Sequence, residues 1–209
     1  MCFSAGASFA AGGVLAAVGV ATVKRRPKKR ERLFAAIPFL FAIQQVLEGA
    51  QWLYLKNGAA SMVLGYGFLF FAFLLWPVYF PLAAYAMERN SRRRRVLLMF
   101  VGAGVMMSLF SLLVLLQQPL IIDAAQRSVQ YSIWAPFGNI GVVVYALIVC
   151  GSMLIASERA LRLFGLLTAI AFVVSYVFYQ YAFTSVWCFL AAVLSIVVYW
   201  HFRSARRRA

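Results

Sequence analysis

The chain has one histidine, five acidic residues and three cysteines in 209 positions. A single histidine, His201, excludes zinc sites assembled from several imidazoles. It lies beside the basic carboxyl-terminal tail, so it also leaves serine chemistry without a base in the opposite halves of the helices. Three cysteines are too few for a disulfide-dense secreted scaffold. Charged residues make up only 12% of the sequence against 65% hydrophobic, where a soluble domain carries about a quarter charged and about half apolar. Disorder is excluded on the same ground. The mean hydropathy of +0.87 places the chain in a bilayer. A formal charge of +15 would suit nucleic acid, but that needs a soluble domain to carry the basic face. None is left over, and no nucleic-acid partner is expected.

A bilayer core about 30 Å thick takes roughly 20 apolar residues per helix. Seven runs approach or reach that length, at 3–23, 33–55, 61–87, 96–116, 134–157, 163–183 and 185–202. The expected fold is therefore all-α: one polytopic domain over 1–209, with connections too short to fold alone and a turn at Thr184. Alternate connections hold 18 of the 20 Lys and Arg residues, and the other side has only Lys56 and Arg127. The positive-inside rule then puts the amino terminus outside and the carboxyl terminus in the cytoplasm. The same clusters would attract anionic lipid head groups by about 1 kcal/mol per residue. In the first span the positive charge follows the apolar stretch, which is the reverse of a cleavable signal peptide.

Polar residues inside spans cost free energy, so they carry the functional information. Glu48 is the only acid well inside one. Gln44, Glu48 and Gln51 are spaced four and three apart and share a helix face, with Gln45 at its margin. At 1.5 Å per residue, Glu48 lies roughly 10 Å below the outer end of its helix. Cys2, Ser4, Asn139, Tyr176, Tyr179, Gln180, Ser185 and Cys188 fall at similar heights. This convergence predicts an outward-facing polar pocket around Glu48, with Gln44, Gln51, Asn139, Tyr176, Tyr179 and Gln180 as ligand-binding candidates. The competing reading is that the amides and hydroxyls are interhelical glue, worth about 0.6 kcal/mol each.

Cys2 and Cys188 both map to the outer side, where a disulfide between them is chemically allowed. Removal of the initiator methionine would leave an amino-terminal Cys2 able to chelate a soft metal, so Cys2, Glu48 and Cys188 are the metal candidates. Two inert thiols are the simpler outcome. In the third span Trp76–Pro81 reads WPVYFP. Its prolines remove backbone donors and force a bend, serving either packing or a hinge. Small residues of the first span (Ser8, Gly12, Gly13, Gly19) and the fourth (Gly102, Gly104, Ser108, Ser111) read as close-packing seams.

The opening MCFSAGASF, QQVLEGAQW in the second span, the WPxxxP segment and VWCFLAAVLS in the seventh together resemble a bacterial family of seven-helix membrane proteins of unknown function. The resemblance covers essentially the whole chain, and the first two stretches are its specific part. It implies an architecture and places Cys2, Glu48 and Cys188 inside shared motifs, with no activity or cofactor attached.

Three functional classes follow. The first is an inner-membrane protein that binds a small ligand or ion around Glu48, as a receptor-like, transport or carrier component. The second is a membrane enzyme acting on a lipid-like substrate with Glu48 as general base. The third is an accessory subunit of a larger membrane complex. Retinal chemistry of the rhodopsin type needs a lysine in a late span, and the last three spans contain none.

Overall fold

Ser4 sets the start of the first helix: its Oγ accepts from the Ala7 N–H at 3.2 Å, satisfying a donor that a helix amino terminus leaves without an intrahelical partner. From there α1 runs Ala5–Val23. The computed structural model describes residues 4–125, 128–132 and 138–205. Over these the chain continues as α2 (Arg32–Lys56), α3 (Met62–Met87) and α4 (Ser91–Gln117), then a hairpin of β1 (Ile121–Ala125) and β2 (Ser128–Ser132), then α5 (Gly138–Ile155), α6 (Arg159–Phe178) and α7 (Gln180–Arg203). The spans containing these seven helices are long and apolar enough to cross a membrane, so the chain has the architecture of a multi-pass membrane protein. Large apolar side chains such as Met99, Leu116 and Ile140 stand exposed around the bundle, where only hydrocarbon would suit them. We call the end bearing the Arg-rich connections the basic face and the other end the hairpin face.

Several boundaries differ from the sequence reading. The arginines before the fourth span are helical and not a loop, because the Asn90 side chain accepts from the N–H groups of Arg92 (3.0 Å) and Arg93 (3.2 Å) and starts α4 at Ser91. The expected turn at Thr184 falls inside a helical segment, Phe183–Leu194. The break comes earlier, at Tyr179 (φ −136°, ψ 38°), and a short 3-10 turn over Gln180–Ala182 follows it. There Phe183 packs edge-on against Phe172 at 5.4 Å and beside Trp187 at 5.4 Å, which anchors the new segment. The expected start of the fifth span at Trp134 lies outside the described residues.

The all-α expectation is modified in the connection after α4, which contains an antiparallel hairpin pairing Ile121 with Ser132 through Ala125 with Ser128. The hairpin folds back onto α3. Val129 is fully buried, Tyr131 stacks on Phe68 at 4.7 Å, and Leu120 and Ile122 occupy the space beside Gly65 that a side chain there would fill.

The WPVYFP segment is preceded by a stretch of wider helix, Phe70–Leu75, in which the Trp76 N–H reaches back five residues to the Phe71 carbonyl. In that register the Ala72 carbonyl would be served by residue 77, a proline with no N–H. The Tyr145 hydroxyl on α5 donates to Ala72 O instead, and Ser108 Oγ on α4 donates to Leu74 O at 2.8 Å. The carbonyl freed at Ala72 is thus paired by a neighbouring helix, as a hydrocarbon surrounding demands, and the Leu74 carbonyl takes a bond from a second.

The small-residue seams are only partly used. A Cβ on Gly104 would collide with the Pro77 carbonyl, and one on Gly19 would lie 3.0 Å from Phe39 Cβ. Gly13 and Gly102 would meet nothing within 4 Å.

Candidate functional site

The polar face of α2 points inward along its length: Gln44, Gln45, Glu48 and Gln51 are all fully buried. Near the middle of α2, Gln44 Oε1 accepts from the Trp76 indole at 2.9 Å. One turn on, Glu48 Oε1 accepts from the hydroxyl of Ser185 on α7. Gln51 engages the start of α3. With its amide nitrogen turned to the Ser61 carbonyl (2.9 Å) and its oxygen to the Ser61 N–H (3.2 Å), both ends are satisfied. Gln45 points to the α1 side, where its Cβ adjoins Gly12. Its amide and the Ser8 hydroxyl, both fully buried, have no hydrogen-bond partner among the described residues.

A second feature lies beside this cluster. A cavity of about 490 Å³ opens between α3, α4, α5, α6 and the start of α7. Its floor is aromatic, with Phe73, Tyr145 and Trp187, and its rim towards the hairpin face carries Asn139, Tyr176 and Gln180. Trp187 is held by its indole N–H, which donates to the Thr168 carbonyl at 3.1 Å. Tyr131 of the hairpin also lines the wall, so β2 serves the cavity as well as the α3 packing. The volume falls within the few hundred to a thousand Å³ typical of small-molecule sites.

The structure therefore divides the sequence-derived candidates into two groups. Gln44, Glu48 and Gln51 form the buried α2 cluster and are not among the residues lining the cavity, whereas Asn139, Tyr176 and Gln180 line it. Tyr179 ends α6 and packs its ring against Tyr181 at 6.3 Å, outside the lining. Cys188 belongs to both groups, for it lines the cavity and sits beside Gln44. Cys2 lies outside the described residues, so its placement against Cys188 does too. Cys150 and Cys188 are free thiols, and among the described residues no three of His, Cys, Asp and Glu come together to hold a metal. Periodicity alone missed the aromatic floor, because Tyr145 and Trp187 read as ordinary apolar positions of their spans.

At the basic face sequence reasoning passed over Glu88 as part of a connection. Its carboxylate accepts from the Arg89 and Asn90 N–H groups (both 2.8 Å), from Ser157 Oγ (2.8 Å) and from the Ser157 N–H (2.7 Å). Burial pushes its pKa up, but these donors outweigh it and hold the carboxyl below its usual value. Arg93 adds bonds to Ile155 O and Ser157 Oγ at 3.3 Å, so the α3–α4 and α5–α6 connections are tied together. His201 makes edge contacts with Phe34 (5.9 Å) and Phe202 (4.9 Å), away from the cavity.

The whole chain, residues 1–209, matches a family of unknown function (DUF6629), and the protein belongs to that family. No curated protein and no solved structure matches it.

Proposed function

We propose that this protein binds a small ligand in the cavity at the hairpin face, as a receptor-like, transport or carrier component of a bacterial inner membrane. The observation that carries the reading is the cavity itself: about 490 Å³ lined by five helices and the hairpin, with an aromatic floor and a rim bearing Asn139, Tyr176 and Gln180. A few placed polar groups on an apolar, concave wall are the usual composition of a ligand site. Glu48 takes a supporting part behind Cys188, where its bond to Ser185 fixes α7 against α2. An acid held in this way, one layer behind the cavity wall, favours binding over general-base chemistry by Glu48.

The proposed orientation has the hairpin face outside and the basic face in the cytoplasm, following the distribution of Lys and Arg. The basic face would then meet anionic lipid. Arg25 over Tyr199 (5.7 Å), Arg94 over Tyr85 (4.6 Å) and Arg203 over Trp200 (5.7 Å) set guanidinium groups at that level, each against an aromatic ring.

Native mass spectrometry of gently purified protein tests the binding reading. The expected result is a retained small molecule that is lost from Ser111→Trp, in which the cavity is filled from α4. Identical spectra with no adduct for both proteins, or an adduct that survives the substitution, would overturn it.

A further inference from the structure

We infer that the cavity takes an uncharged amphiphile, a lipid-like molecule with a hydroxyl or carbonyl head and a hydrocarbon tail, admitted sideways from the bilayer between α4 and α5. This rests on the cavity being a ligand site and names the class of ligand.

The first ground is the route. Near the basic face α4 and α5 touch: a Cβ on Gly151 would lie 3.3 Å from the Phe100 ring. Towards the hairpin face they part, and Met107, Phe110 and Ser111 of α4 confront Asn139 and Val142 of α5 across the cavity. The hairpin-side stretch of α5, Gly138–Ala146, has no buried residue. Helices that separate in this way leave a side opening flanked by residues such as Leu113 and Ile140, which are 56% and 71% exposed. Met107 lies ten residues before the end of α4 at Gln117, so at 1.5 Å per residue the opening reaches about 15 Å into the membrane, half of a core about 30 Å thick. At that depth the neighbour is hydrocarbon, and what enters must be soluble in it.

The second ground is charge. None of the described residues that line the cavity is Asp, Glu, Lys, Arg or His. A charged head group would lose its hydration there with nothing of opposite sign to meet it. Asn139 and Gln180 offer amide donors and acceptors at the rim, which suit a hydroxyl or carbonyl. The space is open on the α4–α5 side, so a long tail would extend through that opening into the bilayer.

Photo-crosslinking in vesicles of uncharged and anionic phospholipid tests this. Three probes carry the same diazirine-bearing C16 chain: a fatty alcohol, an alkyl sulfate and an alkyl trimethylammonium. The alcohol is expected to label cavity peptides of α5 and α7 at least tenfold more than either charged probe, and Ser111→Trp to abolish that labelling while leaving labels on the lipid-facing side of α4. Asn139→Leu, which leaves the cavity open, is expected to weaken labelling several-fold and covers the case in which Ser111→Trp fails to fold. A probe drawn from the bilayer labels in proportion to its mole fraction in the vesicle; labelling that follows aqueous concentration on a cyclodextrin carrier instead would overturn sideways entry. Equal labelling by the charged probes would overturn the uncharged class while leaving the cavity a ligand site. Failure of all three probes to label the cavity, with an adduct still retained in native spectra, would overturn the amphiphile; failure with no adduct would remove the binding reading itself.

Discussion

The indole nitrogen of Trp76 lies 2.9 Å from Oε1 of Gln44, joining the proline-bent α3 to the polar face of α2 at the centre of the bundle. Phe41 (4.2 Å) and Phe80 (4.9 Å) pack on the same indole. Trp76→Phe keeps most of the packing and removes the donor, leaving the Gln44 oxygen buried without this partner. A loss of about 1–3 kcal/mol is expected, measured by thermal unfolding in a fixed detergent. Adding Gln44→Leu to Trp76→Phe should recover part of it, and a double mutant worse than the sum of the singles would contradict the pairing.

Gly104 and Gly102 make a matched pair on α4. Gly104→Ala drives a methyl group into the Pro77 carbonyl, a backbone atom that cannot move aside cheaply, so α3 and α4 must separate. We expect about 1–3 kcal/mol of destabilisation, as for other overpacked sites. Gly102→Ala meets nothing within 4 Å and should be neutral or slightly stabilising, since Ala favours helix over Gly by up to about 1 kcal/mol. Equal melting temperatures for the two variants would refute the seam.

Glu88 gives a pH dependence of known sign. Its pKa is lowered in the folded protein, so its contribution to stability is present above the unfolded carboxylate value and is lost as pH falls through the lowered one. Melting temperature should therefore decline on acidification below about pH 4.5. In Glu88→Gln the melting temperature should be lower at pH 7 and the acid decline shallower. An unchanged acid limb would show that other carboxylates set it.

For Gln45, substitution by Leu or Met should raise the melting temperature, because both ends of its buried amide lack a partner among the described residues and an unpaired buried polar group costs about 1–3 kcal/mol. A fall in stability would assign the amide a partner it needs.

Reporter fusions check the orientation. Those after Arg95 and Ala209 should read cytoplasmic and one after Gln126 external; the opposite pattern would reverse the bundle.

How much of this was legible beforehand depended on what kind of signal each feature leaves. Apolar run length marked the seven spans because the bilayer thickness sets how many apolar residues a crossing helix needs, a local rule. The spacing of Gln44, Glu48 and Gln51 likewise marked a polar face, since helical period alone puts them together. The Phe70–Leu75 widening, the hairpin and the break at Tyr179 left no such trace. Each depends on partners outside its own stretch: Tyr145 for the freed Ala72 carbonyl, Phe68 for Tyr131, Phe172 for Phe183. The sequence by itself determined a helical membrane bundle and the inward face of α2, because both follow from period and hydrocarbon solubility. Only the tertiary structure decided that the polar candidates fall into two groups meeting at Cys188, because that depends on how α4 and α5 diverge and on which side of α7 faces α2.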